Sequence, residues 1–167
     1  MFMRVFRLAV LMFCMVLSAC GFHLRGQNDF DLPFETIYLK AANDNGLFIK
    51  ELITAIQANT VQIISTPEQA QLTLEIVSEV TGRDILSLSV AGTVLEYRLK
   101  YTISLRAYDQ KQQEWLAPQE ITLHRDYSYD STQILAKQQE EAQLYQDMRS
   151  DAVKQVMRRL NHAHPPL

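Results

Sequence analysis

The stretch EYRLKYTISLRA, Glu96 to Ala107, decides the fold. Its odd positions, Tyr97, Leu99, Tyr101, Ile103, Leu105 and Ala107, are apolar, and its even positions, Glu96, Arg98, Lys100, Thr102, Ser104 and Arg106, are polar. A helix returns an apolar side chain every three to four residues, whereas a strand sends successive side chains to opposite faces. Period two held over the whole stretch predicts an antiparallel strand with one face buried and the other in water.

The neighbouring segments extend this strand into a meander. Upstream, Leu72, Leu74 and Ile76 alternate with Gln71, Thr73 and Glu75. Gly82 predicts a bulge or bend in that strand, which resumes through Ile85 to Val90, and Ala91 to Thr93 form a hairpin tip. Downstream, DQKQQE (Asp109 to Glu114) is a polar turn, and Trp115, Ala117, Ile121, Leu123 and Tyr127 alternate in a third long strand. Pro118 has no N–H for a ladder, so the start of that strand belongs at a sheet edge or bulge. A helix is predicted from about Thr132 or Ala136 to Leu160, with Leu144, Met148, Ala152, Val156 and Leu160 stepping by four along one face. On the N-terminal side, TIYLKA (Thr36 to Ala41) reads as a short strand. Leu47 to Ala58 reads as a helix with Phe48, Leu52, Ala55 and Ile56 on one face, widened by Ile49 and Ile53. VQII (Val61 to Ile64) reads as a second short strand. Two helices with one apolar face each, beside a half-buried sheet, predict a two-layer α+β domain over residues 36–160. NHAHPPL, residues 161–167, reads as a disordered tail.

The chain has 167 residues and is 47% hydrophobic, which suits one domain with its own core. Its only cysteines, Cys14 and Cys20, lie six apart, so a disulfide between them would staple nothing, and two thiols are too few for a structural zinc site. Arg4 and Arg7 precede an apolar run from Leu8 to Leu17 that ends in Ser18-Ala19, the pattern of a cleaved signal peptide over residues 1–19. Even counted from Phe6, across Arg7, the segment to Leu17 is 12 residues, short of the roughly 20 a spanning helix needs. Cleavage would leave 14 Lys+Arg against 19 Asp+Glu, a net charge of −5, which argues against a nucleic-acid binder.

Leu17-Ser18-Ala19-Cys20 fits the lipobox of bacterial lipoproteins, in which the thiol takes a diacylglyceryl group, the bond before it is cut and the new amine can be acylated. Each buried CH₂ contributes about 0.8 kcal/mol, so two or three chains make a durable anchor. Gly21, rather than Asp, follows the cysteine and favours the outer membrane. Residues 20–35 then form a lipidated tether. Its start, Cys20-Gly21-Phe22-His23-Leu24-Arg25, resembles the start of mature proteins of the LptE family, the lipopolysaccharide-assembly lipoproteins. The element order resembles that family over nearly the whole mature chain, as do GTVLEY (Gly92 to Tyr97) and Leu135-Ala136-Lys137.

The resemblance implies an α+β fold with two helices on one face of a mixed, mainly antiparallel four-stranded sheet. It implies an outer-membrane lipoprotein with N-acyl and S-diacylglycerol groups on Cys20 and no other cofactor. The folded part would sit in the lumen of the LptD β-barrel, as plug and assembly partner in moving lipopolysaccharide to the cell surface. The competing reading is a free-standing periplasmic lipoprotein, a pilotin or an envelope binding module. In the tether, His23 and Arg25 are candidates to hydrogen-bond barrel wall or headgroup, and Phe22 and Leu24 to lie against bilayer or barrel.

An enzyme is not indicated, because the chain lacks the sequence signatures of serine hydrolases, P-loop proteins and zinc proteases. His162 and His164 lie in the tail with no acidic residue or thiol close in sequence to complete a metal site. Arg98, Lys100 and Arg106 share the face turned from the core and could hold lipid A phosphates. The competing reading is neutralisation by Glu75, Glu79 and Glu120 on the same face, ordinary cross-strand chemistry. Lys137 lies between the third long strand and the last helix, where it either reaches an anionic headgroup or is a solvated lysine of the first turn. The hairpin tip, Ser89 to Gly92, carries no charge. Of the aromatic residues, Tyr97, Tyr101, Trp115 and Tyr127 are expected in the core, and Tyr108 and Tyr129 near strand ends at a rim.

Overall fold

A computed structural model describes residues 30–165. The signal peptide, Cys20 and the tether positions Gly21, Phe22, His23, Leu24 and Arg25 lie outside the described residues, as do residues 166–167. The elements run β1 (Thr36–Ala41), α1 (Leu47–Gln57), β2 (Gln62–Ile63), β3 (Leu72–Leu88), β4 (Val94–Tyr108), β5 (Glu114–Ser128) and α2 (Ile134–Asn161). Short 3₁₀ turns at Pro67–Gln69 and Ser131–Gln133 precede β3 and α2. Among these residues no helix is long and apolar enough to cross a membrane.

One mixed sheet is formed, in the order β2-β1-β3-β4-β5. β1 runs parallel to both β2 and β3, while β3, β4 and β5 form an antiparallel meander. The expected four strands are therefore five. The segment after α1 joins the edge of β1 as a two-residue strand, held by Gln62 N–H to Glu35 O (2.9 Å) and Ile64 N–H to Ile37 O (3.0 Å). Two residues are too few to carry a periodic signal, so only the pairing reveals the strand's place in the sheet.

Both helices pack on the face lined by the odd residues of β4. Leu99, Tyr101, Ile103, Leu105 and Ala107 are buried there against Phe48, Leu52 and Ile56 of α1 and Met148, Ala152, Val156 and Leu160 of α2. Each such Leu or Ile contributes roughly 1.5–3 kcal/mol by leaving water. Val153 and Met157 join the stripe of α2. The chain stays docked beyond the expected domain boundary at Leu160. The helix continues to Asn161, and Ala163 is buried, its N–H donating to Leu160 O at 3.1 Å. β5 is an edge strand, and the β4–β5 register breaks around Pro118, as an absent N–H requires.

β3 departs from simple alternation. Leu72, Leu74 and Ile76 face the helices, but the register slips between Ile76 and Ser78, leaving Val77 as an extra residue. Such a bulge exchanges the two faces for everything that follows. Ser78 is paired with Ser104 on the outer face, whereas Glu79, Thr81, Arg83 and Ile85 are paired with Ile103, Tyr101, Leu99 and Tyr97 on the helix side. The bend expected at Gly82 lies elsewhere: Gly82 pairs regularly with Lys100, and the other slips fall around Ser87. At the hairpin tip Gly92 takes φ 79°, a left-handed turn conformation that glycine adopts without a Cβ penalty.

Candidate functional site

The molecule has two ends. The β4–β5 turn, the ends of both helices and Phe30 share one, the proximal end; Phe30 N–H donates to Asn59 Oδ1 at 2.8 Å, just past α1. The β3–β4 hairpin and the start of α2 share the other, the distal end. They are tied there by Tyr129 N–H to Leu95 O (2.8 Å) and by the edge-to-face rings of Tyr97 and Tyr129.

On the outer face of the sheet the polar residues of β4 find cross-strand partners. Arg106 sets Nε at 2.7 Å and Nη2 at 2.6 Å from Glu75 Oε2, and Lys40 approaches Glu75 Oε1 at 2.9 Å. The Lys40 hydrogen bond, with that of Arg106, holds the Glu75 carboxyl below its usual range. Arg98 grips Asp126 with both arms of its fork, at 2.8 and 2.9 Å, and its hydrogen bond depresses that carboxyl as well. Ser104 donates to Glu120 at 3.2 Å. Lys100 stands opposite Gly82 and His124 and makes no ion pair among the described residues. Glu75 and Glu120 thus occupy the expected face. Glu79 does not, because the Val77 bulge turns it to the helix side, where it accepts the Tyr101 hydroxyl at 2.5 Å. Burial first, and then this carboxylate, push the Tyr101 phenol far above its ordinary value.

The helix side of the distal end holds a different set. Glu141, on the second turn of α2, accepts from Arg83 Nη1 at 2.8 Å and from the Tyr127 hydroxyl at 2.6 Å. The Arg83 guanidinium lies over the Tyr97 ring, 4.5 Å from its centroid. One turn earlier, Lys137 donates to Glu140 at 2.8 Å and Ser128 Oγ at 3.4 Å, its side chain only 16% exposed. Lys137 is therefore folded against β5 rather than free in solvent. Around these groups Ile85, Leu86, Leu88, Val90, Leu95 and Leu135 are exposed, Leu135 by 78%. Apolar side chains at both parities from Ile85 to Leu88 were the available signal for this patch. Arg83 had none, since alternation counted from Leu72 puts it on the outer face.

Of the aromatic residues, Tyr101 and Tyr127 are buried, while Tyr97 and Trp115 are half-buried against the core. Tyr108 is half-buried under the Arg106 guanidinium at 5.1 Å, and Tyr129 packs beside Tyr97 at the distal end. His162 caps the C-terminus of α2, and both it and His164 are exposed. Among the described residues no three His, Cys, Asp or Glu side chains come together as metal ligands. A groove of about 290 Å³ between the helices, lined by Ala55, Ala58, Val153 and Met157, is rimmed by Glu51, Ser150 and Lys154.

Residues 34–160 match the family model described as LptE, lipopolysaccharide-assembly. The LPS-assembly lipoprotein LptE of Pectobacterium atrosepticum is 25% identical over 158 residues, covering 94% of this chain and 85% of that protein. Its counterpart in Yersinia enterocolitica is 24% identical, covering 96% and 77%. A solution structure of lipoprotein B from Nitrosomonas europaea superposes with a TM-score of 0.70 at 36% identity, over 83% of this chain and 88% of that one. The rare lipoprotein B of Shewanella oneidensis, at 24% identity and TM-score 0.67 over 74% and 91%, shares the fold.

Proposed function

Because this chain belongs to the LptE family, we propose that it is a lipopolysaccharide-assembly lipoprotein of the outer membrane, anchored through acylated Cys20. It forms a complex with the LptD β-barrel and serves there as plug and assembly partner in lipopolysaccharide transport. The role is binding and scaffolding rather than catalysis. The observation that carries the reading is the surface it presents. The long outer face of the sheet is a ladder of mutually paired polar groups, Arg106 with Glu75, Arg98 with Asp126 and Ser104 with Glu120. Such a face suits the polar interior of a barrel better than an apolar docking partner.

For the lipid contact we favour Lys137 over the cations of the sheet. Arg98 and Arg106 already spend two nitrogens each on a carboxylate, and Lys100 lies on the outer face, where Val80 is exposed nearby, and not at the apolar patch of the distal end. Lys137 lies beside Leu135 and Ile134, both exposed, so a headgroup and its acyl chains could be met together. The test is purification from outer membranes in mild detergent. A stable complex is expected in which mass spectrometry identifies LptD, with a diacylated or triacylated N-terminal Cys20 on this chain. Recovery of the chain alone, as a monomer, would overturn the plug role and leave the free-standing periplasmic module.

A further inference from the structure

We infer that Arg83 is the second cation of the Lys137 site, and that the pair, with Ile85, Leu95, Ile134 and Leu135, takes the phosphorylated headgroup and adjoining acyl segments of an amphiphile. This rests on the reading of the chain as a lipopolysaccharide-assembly lipoprotein and adds the residue that completes its headgroup contact.

The Val77 bulge is the first support. It turns Arg83 from the polar ladder to the helix side, onto the turn of α2 next to Lys137. The second is the state of the guanidinium. Arg98 and Arg106 each commit Nε and Nη2 to a carboxylate. Arg83 commits Nη1 to Glu141, has the Tyr127 hydroxyl beside it and lays its plane on Tyr97, while the Nε and Nη2 of its other edge donate no hydrogen bond of normal geometry among the described residues. That edge is the two-donor fork that matches two phosphate oxygens. Glu141 and Tyr97 thus orient the arginine without using it up, and its side chain is 45% exposed. The third is the setting. Arg83 and Ile85 point to the same side of β3, and Leu95 and the first turn of α2 lie at the same end, so apolar side chains border the two cations. Glu140 and Glu141 are each bonded to one of these cations, and Asp130, at the turn before α2, lies close enough to Lys137 to interact with its charge. A bound phosphate would approach Arg83 on the edge away from Glu141. The tip, with Val90 and no charged residue, offers no cation of its own.

The test uses the full lipidated chain and immobilised rough-type lipopolysaccharide, with a phosphatase-treated preparation alongside. Arg83→Gln is expected to weaken binding about tenfold or more, as loss of a charge-assisted hydrogen bond does, with Arg83→Lys in between. The unmodified chain should bind the dephosphorylated preparation about as poorly as Arg83→Gln binds the native one. Glu141→Gln should bind at least as tightly as the unmodified chain, because it removes a negative charge beside the phosphate while the Tyr97 ring and the Gln amide oxygen still hold the guanidinium, and Arg158→Gln should be unchanged. If Arg83→Gln and Glu141→Gln lose binding equally, the ion pair is only structural and the inference falls. It falls too if Lys137→Ala binds weakly while Arg83→Gln binds normally, or if millimolar inorganic phosphate competes as well as the lipid does. A chain that binds no lipopolysaccharide yet co-purifies with LptD overturns this inference and leaves the assembly role standing.

Discussion

A double-mutant cycle on Tyr101 and Glu79 tests the feature on which the distal site depends, the change of faces at Val77. Counted by alternation from Leu72, Glu79 belongs to the outer face and cannot reach Tyr101, whose ring is buried under the helices. In the structure the two pair at 2.5 Å. Tyr101→Phe keeps the buried ring and removes only the hydroxyl. Glu79→Ala removes the acceptor. A hydrogen bond to a charged partner is worth about 1.5–3 kcal/mol, and the exposure of Glu79 puts this one at or just below the bottom of that range. The coupling is expected to be about 1–1.5 kcal/mol, a shift of very roughly 3–6 °C in Tm for a domain of this size. The four proteins would be compared by urea unfolding at pH 7. Each single variant should lose stability, and the double variant should lose less than their sum by the coupling. Additivity within about 0.3 kcal/mol is what separate faces give. That result would place Glu79 back on the polar ladder and remove Arg83 from the Lys137 site with it.

Leu52→Ala, at a fully buried position of α1, should cost about 2–5 kcal/mol in the same unfolding assay. Leu135→Ala, at a site 78% exposed, should change stability by less than about 0.5 kcal/mol, so any effect on lipid binding reads as function. Tyr127 has its phenol pushed up to about 12, by burial first and then by Glu141. Its folded pKa lies above the ordinary 10.0, so its contribution is complete below pH 10 and is lost as pH rises toward 12. Tyrosinate absorbance and stability measured together across that window should show the loss, and Tyr127→Phe should flatten it.

The antiparallel half of the sheet was legible because β4 alternates without a break, and each of its strands is long enough to repeat the pattern. α2 was legible for the same reason at another period: Met148, Ala152, Val156 and Leu160 recur at four. The place of β2 was not, since Gln62 and Ile63 hold it by two pairings to β1 and no periodicity. The Val77 bulge was not legible either. A valine suits either face of a strand, and the glycine that did draw attention, Gly82, pairs without distortion. That one residue moved Glu79 and Arg83 across the sheet, so the outer face seemed richer in acids, and the distal site poorer in cations, than they are. Lys137 was found through its place in a motif. The closure of its side chain onto Ser128 and Glu140 depends on how the first turn of α2 meets β5, which the sequence order does not specify.

The two ends of the molecule differ in a way that bears on how it is anchored. Phe30 lies ten residue steps after Cys20, at most about 35 Å of chain. β3 alone, with 17 residues, spans about 55 Å. Phe30 lies at the proximal end, so an acylated Cys20 would hold that end near the leaflet, while the exposed Leu88, Val90, Leu95 and Leu135 stand a strand length away. An apolar patch left in water at that distance is an aggregation liability unless something covers it. The outer face between the ends cannot, because it is predominantly polar and most of its charges are paired with one another. A polar-walled barrel that meets lipid at one level answers both conditions, since it accepts the ladder along its wall and brings an amphiphile to the distal end. On this argument the anchor, the polar face and the apolar end form one sequence along β3, and a chain seated in such a barrel would present the proposed lipid contact at the level where the barrel meets lipid.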